Sequence, residues 1–193
     1  MTGSAEQPVI AFETAEGWEA WLAKNHAESN GIWLRFFKKG TGIASINYAE
    51  ALDEALCYGW IDGQGKSHDE QSYIQKFTPR RPRSVWSKRN TEHIRRLTNA
   101  GRMKPAGLAE VEAAKKDGRW ARAYAPPSAA TLPDDFVREL NKNKKAKAFF
   151  ETLNKRNTYP ITFRLENARK PETRERRLRE ILAMLERGEK FYP

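Results

Sequence analysis

The run Tyr48-Ala49-Glu50-Ala51-Leu52-Asp53-Glu54-Ala55-Leu56-Cys57-Tyr58-Gly59-Trp60-Ile61-Asp62-Gly63-Gln64 changes its repeat in the middle, and the fold turns on that change. Before Gly59, the residues Ala51, Leu52, Ala55 and Leu56 fall on one side of a helix over 48–58. Asn47 with Glu50 three residues on is a capping box at its start, and Gly59 is its stop. After Gly59 the pattern alternates, so Trp60, Asp62 and Gln64 are expected on one face of a strand and Ile61 on the other. A polar turn near 67–70 leads to Ser72-Tyr73-Ile74-Gln75-Lys76-Phe77, so 60–66 and 72–78 read as an antiparallel hairpin.

Upstream, Val9-Ile10-Ala11-Phe12 reads as a first strand. Thr14 caps a helix over 15–26 whose inner side is Trp18, Trp21 and Leu22. Asn30-Gly31 turns into the strand Ile32-Trp33-Leu34-Arg35-Phe36-Phe37. This order predicts an α+β fold in the N-terminal half, a small antiparallel sheet with helices against it.

Downstream the character shifts. Pro79-Arg80-Arg81-Pro82-Arg83 excludes helix, since each proline forces its predecessor into extended backbone. Ser87 or Asn90 then caps a helix through about Asn99, and another spans 104–117 with Leu108, Val111 and Ala114 inward. Further helices are expected at 134–141, 143–153, 156–168 and 172–187, the last packing through Leu178, Ile181, Leu182 and Leu185. The expected domains are 1–125, an α+β unit with a basic helical extension from about 80, and 134–193, all-helical, with the Pro-containing stretch 126–133 as linker. No strand is expected between 134 and 187.

Of 193 residues, 39% are hydrophobic, and Trp 6, Tyr 6 and Phe 9 suffice for a core, which excludes wholesale disorder. No run approaches the ~18 apolar residues of a membrane span. The start lacks the basic and apolar regions of a secretory signal, and one cysteine, Cys57, allows no intramolecular disulfide. A soluble, cytoplasmic protein is expected. The net charge of +10 is uneven: residues 1–79 carry 6 basic and 11 acidic side chains, the remainder 29 and 14. Residues 80–104 hold nine cations (Arg80, Arg81, Arg83, Lys88, Arg89, Arg95, Arg96, Arg102, Lys104) against Glu92 alone. Such a block favours an anionic partner: protein, phosphorylated ligand, nucleic acid or anionic membrane surface.

Catalytic signals are sparse. His26, His68 and His93 lie on separate elements without metal-ligand spacing, and no nucleophile-elbow, P-loop or dinucleotide fingerprint is present. Cys57, in the last turn of a helix, reads as a small buried hydrophobe. No metal, cofactor or catalytic residue is assigned. One constellation stands out: Trp60, Asp62 and Gln64 on one strand, with Arg80, Arg81 and Trp86 arriving from its neighbour. It reads either as a ligand pocket, with Arg forking an anion and Trp stacking, or as an Asp62–Arg ion pair latching the loop 79–87. Arg83, Arg95 and Arg96 extend a basic surface, and polyanion binding would depend on them together with Arg80 and Arg81.

The run 48–64 resembles the YdeI/OmpD-associated, or bacteriocin-protection, family. The resemblance continues through Phe77–Pro82, Ser84–Ser87, Gly101–Met103, Asp117–Trp120 and Ala168–Arg174. Tyr58 stands where the family pattern has Phe, and Arg169-Lys170 where it has Lys-Arg. The resemblance implies a helical C-terminal domain, a link to tolerance of cationic antimicrobial peptides and to an outer-membrane porin, and no established catalytic residues. The expectation is therefore a non-enzymatic stress or envelope-protection protein binding an anionic partner. Two alternatives stand beside it: an enzyme or small-ligand binder at Trp60/Asp62/Gln64/Arg80/Arg81, and a sequence-nonspecific nucleic-acid binder.

Overall fold

A computed structural model describes residues 7–193. The chain divides into two compact units, the first ending at Ala123 and the second running from Tyr124 to Pro193.

The first unit is α+β. Its order is β1 (Val9–Ala11), α1 (Ala15–Asn25), β2 (Ile32–Phe37), α2 (Tyr48–Cys57), β3 (Trp60–Ser67), β4 (Ser72–Pro79), α3 (Lys88–Asn99) and α4 (Pro105–Lys116). The local signals work as their chemistry requires. The Thr14 side chain accepts from Gly17 N, and Asn47 and Glu50 form the reciprocal capping box. Gly59 ends α2 at φ 75°, left-handed backbone that glycine enters without steric cost.

The four strands lie in the order β1-β2-β4-β3. The sheet is mixed, not antiparallel throughout, because β1 pairs with β2 in parallel. The cause is α1: a helix between two neighbouring strands returns the chain to run in the same direction, as no tight hairpin can. The other two pairings, β2 with β4 and β4 with β3, are antiparallel. Among the described residues every sheet strand precedes Arg80.

Strict alternation along β2 buries Ile32, Leu34 and Phe36, which form a core with Trp18, Leu22, Trp60 and Phe77. Trp18 Nε1 donates to Ala51 O at 3.1 Å and ties α1 to α2. In α4 the inward residues are Gly107, Val111 and Ala114, while Leu108, expected inside, is 40% exposed. Gly107 sets this rotation. A Cβ there would lie 2.2 Å from Cys57 O, so only glycine lets α4 approach the end of α2.

The second unit is helical: α5 (Asp134–Lys142), α6 (Lys144–Phe150), α7 (Lys155–Glu166) and α8 (Pro171–Glu186). Phe136, Leu140, Ala146, Ile161, Leu165, Ile181 and Leu185 form its own core. Arg174 on α8 grips both Asp135 oxygens at 2.7 Å and donates to Leu165 O, clasping α5 and α7.

Candidate functional site

The six residues of the expected pocket are dispersed. Trp60 is 1% exposed, meets Trp18 and Trp21 edge-on, and donates from Nε1 to His26 O at 3.1 Å. Trp86 is equally buried, against Trp120. Neither ring can stack on a ligand while the core is closed. Arg80 is buried too; its guanidinium lies 3.7 Å from the Trp86 ring centroid and donates to Val85 O. It braces the loop after β4, which Arg119 also holds through Ser84 O.

Asp62 is part-exposed and accepts the Tyr48 hydroxyl at 2.8 Å. Burial, then the Asp62 charge, push the Tyr48 phenol well above its ordinary pKa, so it stays a donor. Gln64 does not share the Asp62 face. The register slips by one residue between Asp62 and Gly65, a β-bulge that interrupts the alternation. Gln64 and Arg81 are both exposed.

Beside Tyr48 the structure has a cleft of about 600 Å³, which no sequence motif announces. Phe36, Ile43, Ile46, Tyr48 and Tyr73 supply its apolar lining, and Lys38 and Lys39 its charge.

The basic block separates into two groups. Arg96 grips Asp53 at 2.6 Å, Arg102 pairs with Glu54, and Lys104 pairs with Glu19 at 3.0 Å. These three cations are neutralised by carboxylates of the fold, although their own side chains stay half-exposed. Arg81, Arg83, Lys88, Arg89 and Arg95 are exposed, and among the described residues no salt bridge holds any of them. Lys88 and Arg89 open α3 with no acid in its first turn, against the helix dipole, so helix stability does not account for them.

The partners of the neutralised group, Asp53 and Glu54, went unread in the sequence. Both are 8% exposed on α2, and His93 Nδ1 also bonds Asp53 at 2.9 Å. Burial alone would raise the Asp53 pKa, but its bonds to Arg96 and His93 outweigh that and hold it low. For Glu54 burial prevails, and the pKa rises despite Arg102. The available signal was two adjacent acids flanked by Leu52 and Ala55 between the apolar turns of α2. Among the described residues no three His, Cys, Asp or Glu side chains converge on a metal position. No helix there is long and apolar enough to cross a membrane.

Fold and surface together define an α+β domain with an exposed cationic flank, followed in sequence by a helical unit. Residues 10–110, just over half the chain, match the family described as Domain of unknown function (DUF8412), and the chain belongs to that family. Residues 129–188 match the family described as Bacteriocin-protection, YdeI or OmpD-Associated. That match contains the Ala168–Arg174 motif, whereas the run Glu50–Gln64 lies within the first. No curated protein and no solved structure matches the chain.

Proposed function

We propose that this chain is a non-enzymatic, cytoplasmic binding protein of bacteriocin protection that engages an anionic partner through Arg81, Arg83, Lys88, Arg89 and Arg95. The observation that carries the reading is that these five cations are exposed and without carboxylate partners among the described residues, while Arg96, Arg102 and Lys104 of the same block are neutralised. The family match over 129–188 supports the link to bacteriocin protection. A basic surface repels a cationic peptide, so protection would come from covering an anionic component that such peptides seek. Arg83 adds support. Its backbone sits at φ 66°, in the left-handed region, holding an exposed arginine where glycine would be easier.

The test is survival of bacteria challenged with a cationic bacteriocin while expressing either the natural chain or one with the five cations reversed to Glu. Loss of protection with an unchanged melting temperature supports the reading. Equal protection by both chains overturns it.

A small-ligand site is the second reading, moved from the dispersed pocket to the cleft beside Tyr48 and Asp62. The apolar lining with few polar groups is what favours it. Saturable binding of an anionic apolar dye, weakened by Tyr73→Ala, is its expected signature.

A further inference from the structure

The outward face of the sheet is a different surface. The core takes Ile32, Leu34 and Phe36 of β2, which leaves Trp33, Arg35 and Phe37 on the opposite side. Across the ladder, Lys76 stands opposite Trp33, and Lys66 of β3 stands opposite Ile74. These side chains form a pattern of cations over rings. Lys66 Nζ lies 4.7 Å and Lys76 Nζ 5.8 Å from the Trp33 centroid, and the Arg35 guanidinium lies 4.5 Å from that of Phe37. Asp69 pairs with Arg35 at 2.6 Å, but among the described residues no salt bridge holds Lys66 or Lys76. Beside Trp33 opens a cleft of about 590 Å³, lined by Val9, Lys66, His68 and Ile74 among others. Trp33 and Phe37 are both part-exposed, about 13 Å apart at strand rise.

We propose that this face binds single-stranded nucleic acid, with Trp33 and Phe37 as platforms for bases and Lys66 and Lys76 as phosphate contacts. Aromatic rings on an open sheet offer bases a stacking surface, and flanking cations follow the backbone. The two ammonium groups now over Trp33 are within reach of phosphates, so a base can take their place on the ring while they keep a charge partner. An acidic protein would use the lysines but leave the ring idle. A duplex keeps its base faces paired and stacked. This site uses none of the cations from Arg81 to Arg95, so each proposal can fail alone.

The experiment is fluorescence anisotropy of the full chain with labelled oligo(dT) or oligo(rU) of about twelve nucleotides, at several salt concentrations. Trp33→Ala should weaken binding roughly 5- to 100-fold while Trp33→Phe retains most of it. Lys66→Glu with Lys76→Glu should weaken it too and reduce the log–log salt slope by about 1.4. Heparin binding should be indifferent to Trp33→Ala, and a duplex of the same length should bind more weakly. Should Trp33→Ala fail to fold, the double lysine variant, exposed at Lys66, decides: unchanged affinity overturns the proposal. Heparin losing as much as the oligonucleotide on Trp33→Ala overturns it as well. So does loss of binding only on reversal of Arg81 and Arg95, an outcome that leaves the other surface standing.

Discussion

One guanidinium nitrogen of Arg96 lies 2.6 Å and 2.7 Å from the two carboxylate oxygens of Asp53. The carboxylate is nearly enclosed, whereas the Arg96 side chain is 54% exposed, so the pair joins a buried anion to a wet cation. Its neighbour Glu54 has the opposite balance, and the two acids should respond to pH with opposite signs. Asp53 is held below its unfolded value near 3.9, so its stabilisation is present above that pH and lost as pH falls through the folded value. Glu54 is raised, so stability falls as pH climbs from the unfolded value near 4.3 through the folded one, and the penalty persists above it. Denaturant melts between pH 3 and 7 should show Asp53→Asn costing about 1–3 kcal/mol at neutral pH and little in acid. Glu54→Gln should cost less than Asp53→Asn at pH 7. The reverse order at pH 7 would contradict this account.

Arg83→Gly should raise stability and lower anion affinity together. Relief of left-handed backbone strain is worth about 1 kcal/mol, while one of five exposed cations disappears. A thermal melt paired with elution from a heparin column checks both halves.

Gly107→Ala should destabilise, although alanine is ordinarily the better helix former by about 1 kcal/mol. The added methyl would meet the Cys57 carbonyl and push α4 away from α2. A loss of about 1–3 kcal/mol in a chemical melt is expected. Any gain in stability would show that α4 can shift at no cost.

Cys57 should be silent in the native state. It is fully buried, and burial, reinforced by the charge of Glu54, pushes the thiol pKa up to about 11. A disulfide reagent at pH 8 should release no colour until denaturant is added, then one equivalent.

Tyr48→Phe and Asp62→Asn should each cost about 1 kcal/mol or less. The bond they share joins a neutral donor to a part-exposed acceptor, so neither change strands a buried charge. Urea midpoints of the two single variants and the double variant give the coupling directly.

Local chemistry was legible and non-local chemistry was not. Caps at Thr14, Asn47 and Ser87, the glycine stop at 59 and the alternation of 32–37 are short-range rules, and each element formed where its residues said. Strand direction depends on the connection, and α1 between β1 and β2 carried the information that the first pairing is parallel. The placement of the residues around Asp62 was illegible for a similar reason. Alternation carried to Gln64 assumes an unbroken ladder, and a bulge is invisible to period counting. Trp60 and Trp86 are core rings and not ligand walls, a difference that residue type cannot carry because it says nothing about which face closes over. The charge block was visible as a total, but its division needed the positions of Asp53, Glu54 and Glu19 in space.

The bulge between Asp62 and Gly65 also bears on what the rim of the sheet offers to another chain. β3 is an outer strand of the sheet, eight residues long, with a row of backbone groups turned away from its only neighbour. Such a rim invites another chain to add itself as the next strand. Here the slipped register breaks the row, Gly63 and Gly65 weaken its extended preference, and Lys66 sets a charge on it. The opposite rim, β1, is only three residues long. The irregularity that removed Gln64 from its expected place thus leaves this rim a poorer template for another strand than an unbroken edge would be.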